Sequence, residues 1–178
     1  MKKTILLFIL FLIIGNYSCE RDDICPESTP TTPSLIIDVF DFNSQEDKKN
    51  IFNLVIAGVD NEDILPGYSF VSSNNLVLPL KTDVNNTQYI LVKEATIDDN
   101  GTPDDSTDDI IIGNYDTVSI NYSRTNIFVS RACGYKTIYE NVTLTVVQDG
   151  DNWILSSTPL NPNQSVEDET TAHFNIFH

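Results

Sequence analysis

From residue 35 onward, the chain is a succession of ten short runs rich in β-branched and aromatic residues, each bounded by turn-forming residues. Such runs are typical of β-strands, and no segment shows the strong 3.6-residue apolar period of an amphipathic helix. The pattern predicts an all-β fold, an antiparallel β-sandwich that is immunoglobulin-like or related, with about 8–10 strands. The runs are residues 35–42, 51–58, 76–81, 89–97, 109–113, 117–123, 126–130, 142–148, 152–157 and 173–178.

Details of some runs predict where their residues lie in the sheets. Alternating apolar residues predict a buried face in two runs, namely Phe52, Leu54 and Ile56 in one and Val118, Ile120 and Tyr122 in the other. Because proline lacks the N–H that a strand ladder needs, Pro79 predicts a sheet edge or a bulge. Asp149-Gly150 is a typical turn sequence, and it predicts that runs 142–148 and 152–157 form a hairpin.

The first 18 residues have the composition of a signal peptide. Lys2 and Lys3 precede ten uninterrupted apolar residues, 5–14. A ten-residue helix is about 15 Å long, roughly half the thickness of a hydrocarbon core, so this run is too short for an ordinary transmembrane helix. The alternative, a buried core helix, lacks support because the run is not amphipathic. We expect residues 1–18 to be a cleaved export signal.

The segment that ends this signal resembles a bacterial lipoprotein signal, in which the cysteine is lipidated and becomes the first mature residue. Ser18 matches the small residue expected before Cys19, whereas Asn16 and Tyr17 depart from the usual pattern. The resemblance implies lipidation of Cys19 and anchoring to the outer membrane, on its periplasmic face or on the cell surface. Each buried acyl CH₂ contributes about 0.8 kcal/mol, so two or three chains anchor a protein firmly.

The other two cysteines predict a disulfide. If Cys19 carries lipid, two cysteines remain in an oxidising compartment, Cys25 and Cys133. An even number of remaining cysteines indicates that they pair, here in one disulfide. A metal site is the alternative, but Cys19 and Cys25 lack the C-x₂-C spacing and no histidine lies near them. A redox-active C-x-x-C pair is absent.

Composition and charge divide the chain into three parts: a lipoprotein signal peptide at 1–18, a lipidated cysteine with an extended Pro- and Ser/Thr-rich tether at 19–34, and a single β-sandwich domain at 35–178. The net charge is −16, and it becomes −18 once Lys2 and Lys3 are removed. Such a surface repels nucleic acid and anionic lipid headgroups, so neither is an expected partner.

An acidic tract, IDDNGTPDDSTDD at 97–109, is the candidate metal site. Carboxylate, amide and hydroxyl oxygens are the ligands that calcium prefers. The tract departs from an EF-hand, because Pro103 stands where that loop needs glycine and strands flank it. It is closer to the calcium loops of extracellular adhesive repeats. The alternative is a solvated hairpin tip. The candidate calcium ligands are Asp98, Asn100, Thr102, Asp104 and Asp109; no other cofactor is expected.

Catalytic signatures are missing from the sequence, which has no Gly-x-Ser-x-Gly, phosphate loop or His–Glu helix motif, so we expect a protein that is not an enzyme. His173 and His178 differ by five positions and would lie on opposite faces of an ideal strand, which disfavours a two-histidine metal face. Trp153, beside the Asp149-Gly150 turn, is either a sugar-stacking residue or, more commonly in a sandwich, a core residue.

Several segments together resemble a family of small Bacteroidota lipoproteins of unknown function: LVLPLKTDVNNTQYIL, DTVSINYSRTNIFVSRACGYKTIYENV and HFNIFH, behind a lipoprotein cysteine and ERDDIC. The acids of ERDD resemble a tract that directs such lipoproteins to the outer face of the outer membrane; a solvated tether is the alternative. The resemblance implies an exported all-β lipoprotein and no known activity. We therefore expect an accessory domain with an envelope protein partner, or alternatively a carbohydrate- or ligand-binding module or a calcium-dependent adhesin-like domain.

Overall fold

The computed structural model describes residues 24–59, 61 and 63–178, and within them the chain is all-β, with nine strands and no helix. The strands form two mostly antiparallel sheets, which confirms the predicted all-β sandwich class. The predicted signal peptide and Cys19 lie outside the described residues. The strands are β1 Leu35–Phe40, β2 Ile51–Gly58, β3 Val71–Ser73, β4 Asn75–Leu78, β5 Asn86–Asp98, β6 Ile110–Ser130, β7 Gly134–Val146, β8 Ser156–Pro159 and β9 Phe174–Phe177.

The strand order is β4-β1-β9-β8 in one sheet and β3-β2-β5-β6-β7 in the other. Neighbouring strands are antiparallel except β1 and β9, which run parallel. The predicted hairpin between runs 142–148 and 152–157 is wrong. Gly150 does adopt the left-handed φ of +100°, but β7 and β8 lie in different sheets, so the turn begins a crossing between sheets. Turn geometry is local, whereas the partner of a strand depends on which face it buries.

The main core fills the space between the sheets, and alternation predicts part of it correctly. Val118, Ile120 and Tyr122 are all buried, as are Leu54 and Ile56. The prediction for Phe52 is wrong, because its side chain is 62% exposed. Asn53 has a φ of +47°, and the β2–β3 register shifts between Ile51 and Leu54. This bulge breaks the two-residue period and turns Ile51 instead of Phe52 into the core.

The strand β6 is continuous over 21 residues, whereas its sequence predicts three separate runs at 109–113, 117–123 and 126–130. Polar residues interrupt the apolar pattern, but β6 pairs with β5 on one side and β7 on the other, so its backbone stays extended. Gly113 does not break the strand. A Cβ there would lie 2.7 Å from Val92 Cγ1 and 2.8 Å from the Lys93 carbonyl oxygen, so glycine permits a close approach of β5.

Three buried tyrosines hold the segment that follows β4. β4 is an edge strand and ends just before Pro79, as the proline predicts. Beyond it the backbone carbonyls of three successive residues each accept a tyrosine hydroxyl: Pro79 from Tyr89, Leu80 from Tyr139 at 2.9 Å and Lys81 from Tyr122 at 2.9 Å. Burial raises the pKa of Tyr89 and of Tyr139 to about 12, so both hydroxyls remain donors at neutral pH.

Tyr139→Phe is expected to lower the free energy of unfolding by about 1–2 kcal/mol, because it leaves the buried Leu80 carbonyl without its donor while preserving the ring. Urea denaturation followed by circular dichroism measures the change. Tyr135→Phe is the matched control, since this side chain is 69% exposed, and we expect it to be neutral. Equal effects of the two substitutions would contradict a role for the Tyr139 hydroxyl.

Candidate functional site

The N-terminal segment is joined to the far end of the β6–β7 hairpin by a disulfide between Cys25 and Cys133, which is the predicted pair. The two Cα atoms lie 4.8 Å apart, within the range of unstrained bridges. Cys133 lies in the turn between β6 and β7, where its N–H donates to the Ser130 hydroxyl at 3.0 Å. Gly134, with φ of +71°, then lets the chain return as β7.

Residues that follow Cys25 also contact the sandwich. The Thr32 hydroxyl accepts the Thr137 N–H of β7 at 3.0 Å, and the Ser34 N–H donates to the Glu169 carboxylate at 2.6 Å. Pro33, between them, is buried. The second half of the predicted tether therefore lies against the domain.

The outer end of this hairpin carries exposed apolar side chains. Phe128 on β6 faces Tyr135 on β7, with ring centroids 5.4 Å apart and the rings edge to face. Phe128 is 57% and Tyr135 is 69% exposed, whereas Tyr139, four residues farther along β7 and on the same face, is fully buried. The hairpin thus extends past the part of the sandwich that covers it. The alternation of residues along β6 and β7 does not distinguish the exposed Phe128 and Tyr135 from the buried Tyr122 and Tyr139.

The acidic loop between β5 and β6 does not gather its predicted calcium ligands. Asp98 accepts the Asn100 N–H at 3.0 Å in a local turn, and Thr102 donates its hydroxyl at 2.8 Å to Asp108, which is not among the predicted ligands. Asp104 and Asp109 are exposed. Among the described residues, no three His, Cys, Asp or Glu side chains are placed to hold a metal ion. Calcium binding stays a prediction from the sequence.

His173 is a structural residue at the start of β9. Its Nδ1 accepts the Ile36 N–H at 2.9 Å, so the proton is on Nε2, which lies 3.1 Å from the Asp168 carbonyl oxygen. Burial lowers the pKa of His173. The side chain therefore uses both ring nitrogens in contacts with backbone atoms.

His178 lies in a buried polar cluster with Trp153 and Lys93. Lys93 Nζ is 3.3 Å from His178 Nδ1 and 5.8 Å from the Trp153 ring, and the two rings meet edge to face at 5.6 Å. Trp153 is only 6% exposed, so it is a core residue and offers no ring face for a sugar. Trp153 Nε1 and His178 Nε2 have no hydrogen-bond partner among the described residues.

Asp116 is a fully buried carboxylate, which the sequence did not predict. It lies on β6 and accepts hydrogen bonds from the crossing segment, at 2.7 Å from the Ile154 N–H, 3.1 Å from Asn152 Nδ2 and 3.3 Å from the Trp153 N–H. Burial raises the pKa of Asp116, and these bonds oppose that shift. In the sequence, the hint of this burial is that Asp116 directly precedes the alternating apolar run 117–123. Asp116 fixes the chain where it passes from one sheet to the other.

Asp116→Ala is expected to lower the free energy of unfolding by about 2 kcal/mol, because two backbone N–H groups lose their acceptor in the interior. Chemical denaturation at neutral pH measures the loss. Asp149→Ala removes the same charge from an exposed position on the same connection, and we expect a change near zero. If the two variants unfold at the same denaturant concentration, Asp116 does not secure the crossing segment.

A cleft of about 770 Å³ opens at one end of the sandwich. Its polar lining includes Thr87 and Tyr89, but both hydroxyls are already engaged, Thr87 with Tyr122 at 2.6 Å and Tyr89 with Pro79. The remaining lining comes mainly from the end of β2 and the loop after it, and it is completed by two residues near the start of β5: Gly58, Val59, Asn61, Asp63, Ile64, Leu65 and Pro66, with Lys81 and Gln88.

The fold and the site define a small, disulfide-bonded β-sandwich whose N-terminal segment is fastened to an exposed hairpin. The chain belongs to a family of unknown function, DUF6452, whose sequence profile matches residues 53–178. No curated protein and no solved structure matches the chain. In the part of the chain that the structure describes, there is no helix able to cross a bilayer.

Proposed function

We propose that this protein is an exported lipoprotein without enzymatic activity. In this proposal Cys19 is lipidated and anchors the chain to the outer membrane, and the β-sandwich serves as an accessory domain for a protein partner in the envelope. The support from the sequence is the short apolar run behind Lys2 and Lys3, followed by Ser18 and Cys19. The family match assigns no activity.

The Cys25–Cys133 disulfide is the observation that carries the proposal. Structural disulfides are rare in the cytosol and persist in exported proteins, so the bridge supports export. The bridge accounts for two of the three cysteines in the chain, and the proposal assigns the lipid to the third, Cys19. Two buried titratable groups, Asp116 and His173, are committed to structural hydrogen bonds, which is compatible with a role without catalysis.

Metabolic labelling with an alkyne fatty acid, in cells that express the full chain, tests the anchor. We expect label on the native protein and on the Cys133→Ala variant, and none on Cys19→Ala. Cys133→Ala is the matched control, because it removes one cysteine and keeps the proposed anchor. Label that survives Cys19→Ala, or native protein without label, would overturn the proposal.

Protease treatment of intact cells then places the domain on one face of the outer membrane. Cleavage of the domain without breaking that membrane would support surface display, and it would give the acids Glu20, Asp22 and Asp23 an export role. Protection until the membrane is broken would make those acids a solvated tether. Cross-linking in the matching compartment then identifies the envelope partner.

A further inference from the structure

The disulfide determines which part of the domain lies nearest to the chain that precedes it. Cys25 lies six positions after Cys19, and a fully extended chain spans at most about 20 Å over that distance. Since Cys25 is bonded to Cys133 in the hairpin turn, the chain leaves the domain at the tip of the β6–β7 hairpin. Without the bridge, the exit point would be set by the contacts of residues 32–34, farther along the chain.

The hairpin tip presents apolar and aromatic side chains beside this exit point. Ile24, directly before Cys25, is 80% exposed, and Phe128, Tyr135 and Ile127 are 57%, 69% and 39% exposed. Tyr135 and Cys25 line the same crevice, so the aromatic pair and the exit point are adjacent. Aromatic side chains with an apolar body and a polar edge are enriched where proteins meet the lipid headgroups.

The charge of this hairpin differs from that of the rest of the protein. Residues 117–139 contain no acid, although the chain has 26 acids, and Arg131 and Lys136 lie in or beside the turn. Arg131 is exposed in the turn itself. A basic, aromatic tip can approach an anionic headgroup surface, whereas the remaining acidic surface is repelled by it.

We infer that the tip of the β6–β7 hairpin docks on the lipid surface. Ile24, Ile127, Phe128 and Tyr135 enter the headgroup region, and Arg131 faces lipid phosphates. The inference rests on the proposed lipid anchor, and it adds that the domain has a fixed orientation on the membrane. The acidic loop between β5 and β6 belongs to a different hairpin and is left free for other contacts.

Depth-dependent fluorescence quenching tests this docking. The full lipidated chain is reconstituted into vesicles of phosphatidylcholine and phosphatidylglycerol that contain lipids brominated on the acyl chain. Phe128→Trp reports on the tip, and Phe52→Trp is the matched control, because Phe52 is 62% exposed on β2, away from this hairpin. The native protein supplies the background from Trp153. We expect several-fold stronger quenching of the added indole in Phe128→Trp than in Phe52→Trp.

The outcomes separate the docking from the anchor. Equal quenching in the two variants, with both floating with the vesicles, would overturn the docking alone and leave the aromatic pair for a protein partner. Failure of the native chain to float with the vesicles would overturn the anchor and the docking together. Adding Arg131→Glu to Phe128→Trp should reduce quenching on these vesicles and not on vesicles of phosphatidylcholine alone. Quenching unchanged by this charge reversal would overturn the role given to Arg131.

Discussion

Replacing both disulfide cysteines with alanine should lower the free energy of unfolding by about 4–5 kcal/mol, a larger loss than we expect from Tyr139→Phe or Asp116→Ala. The bridge joins residues 108 positions apart, so its loss frees a long closed loop in the unfolded chain. For a domain of this size, each kcal/mol corresponds to about 2–4 °C in Tm. Thermal unfolding of the Cys25→Ala/Cys133→Ala variant measures the effect.

The chain supplies its own control for this experiment. Cys19→Ala also removes a cysteine but leaves the bridge, and its Tm in detergent should match that of the native chain. Reduction of the native protein should reproduce the low Tm of the double variant. A double variant as stable as the native protein would show that the contacts of Thr32 and Ser34 hold the N-terminal segment without the bridge.

Acidification should cost the second largest amount of stability, through His178. Burial, together with the nearby ammonium groups of Lys93 and Lys49, lowers the pKa of His178 to about 4, whereas an unfolded histidine titrates near 6.5. Lys49 Nζ lies 2.9 Å from the His178 carbonyl oxygen and 2.8 Å from Asp41, and the Asp41 charge only partly offsets the shift. Protonating the imidazole therefore adds a buried positive charge beside two others.

The direction of the pH effect follows from the lowered pKa. Between about pH 6.5 and 4 the unfolded chain binds a proton that the folded protein does not, so stability is full above this window and falls as the pH drops through it. The shift corresponds to at most about 3 kcal/mol. Denaturation curves at several pH values measure it.

Each histidine can be removed in turn, because the chain has only two. His178→Gln should flatten the pH dependence of the unfolding free energy across this window, relative to the native protein. His173→Gln is the comparison, since its pKa is also lowered by burial but without a contribution from a lysine. A pH profile of His178→Gln that runs parallel to the native profile would show that the imidazole is not the responsible group.

The candidate site was only partly predictable. Cysteine counting pairs Cys25 with Cys133 once Cys19 is assigned to the lipid, and this step needs no knowledge of the fold. The exposure of Phe128 and Tyr135 is not visible in the sequence, since their residue types and spacing match those of buried strand residues. The burial of Asp116 was also missed. A lone acid at the edge of an apolar run looks like a solvated strand end until its three donors, far along the chain, are seen around it.

The all-β class, the edge position of the strand before Pro79 and the burial of Val118, Ile120 and Tyr122 follow from the order of residues alone, because alternation and the missing proline N–H act within one strand. The tertiary structure decided the rest. It placed β7 and β8 in different sheets, made β6 one continuous strand and turned Phe52 outward at the Asn53 bulge. Each of these depends on pairing and burial between distant segments, which no local pattern records.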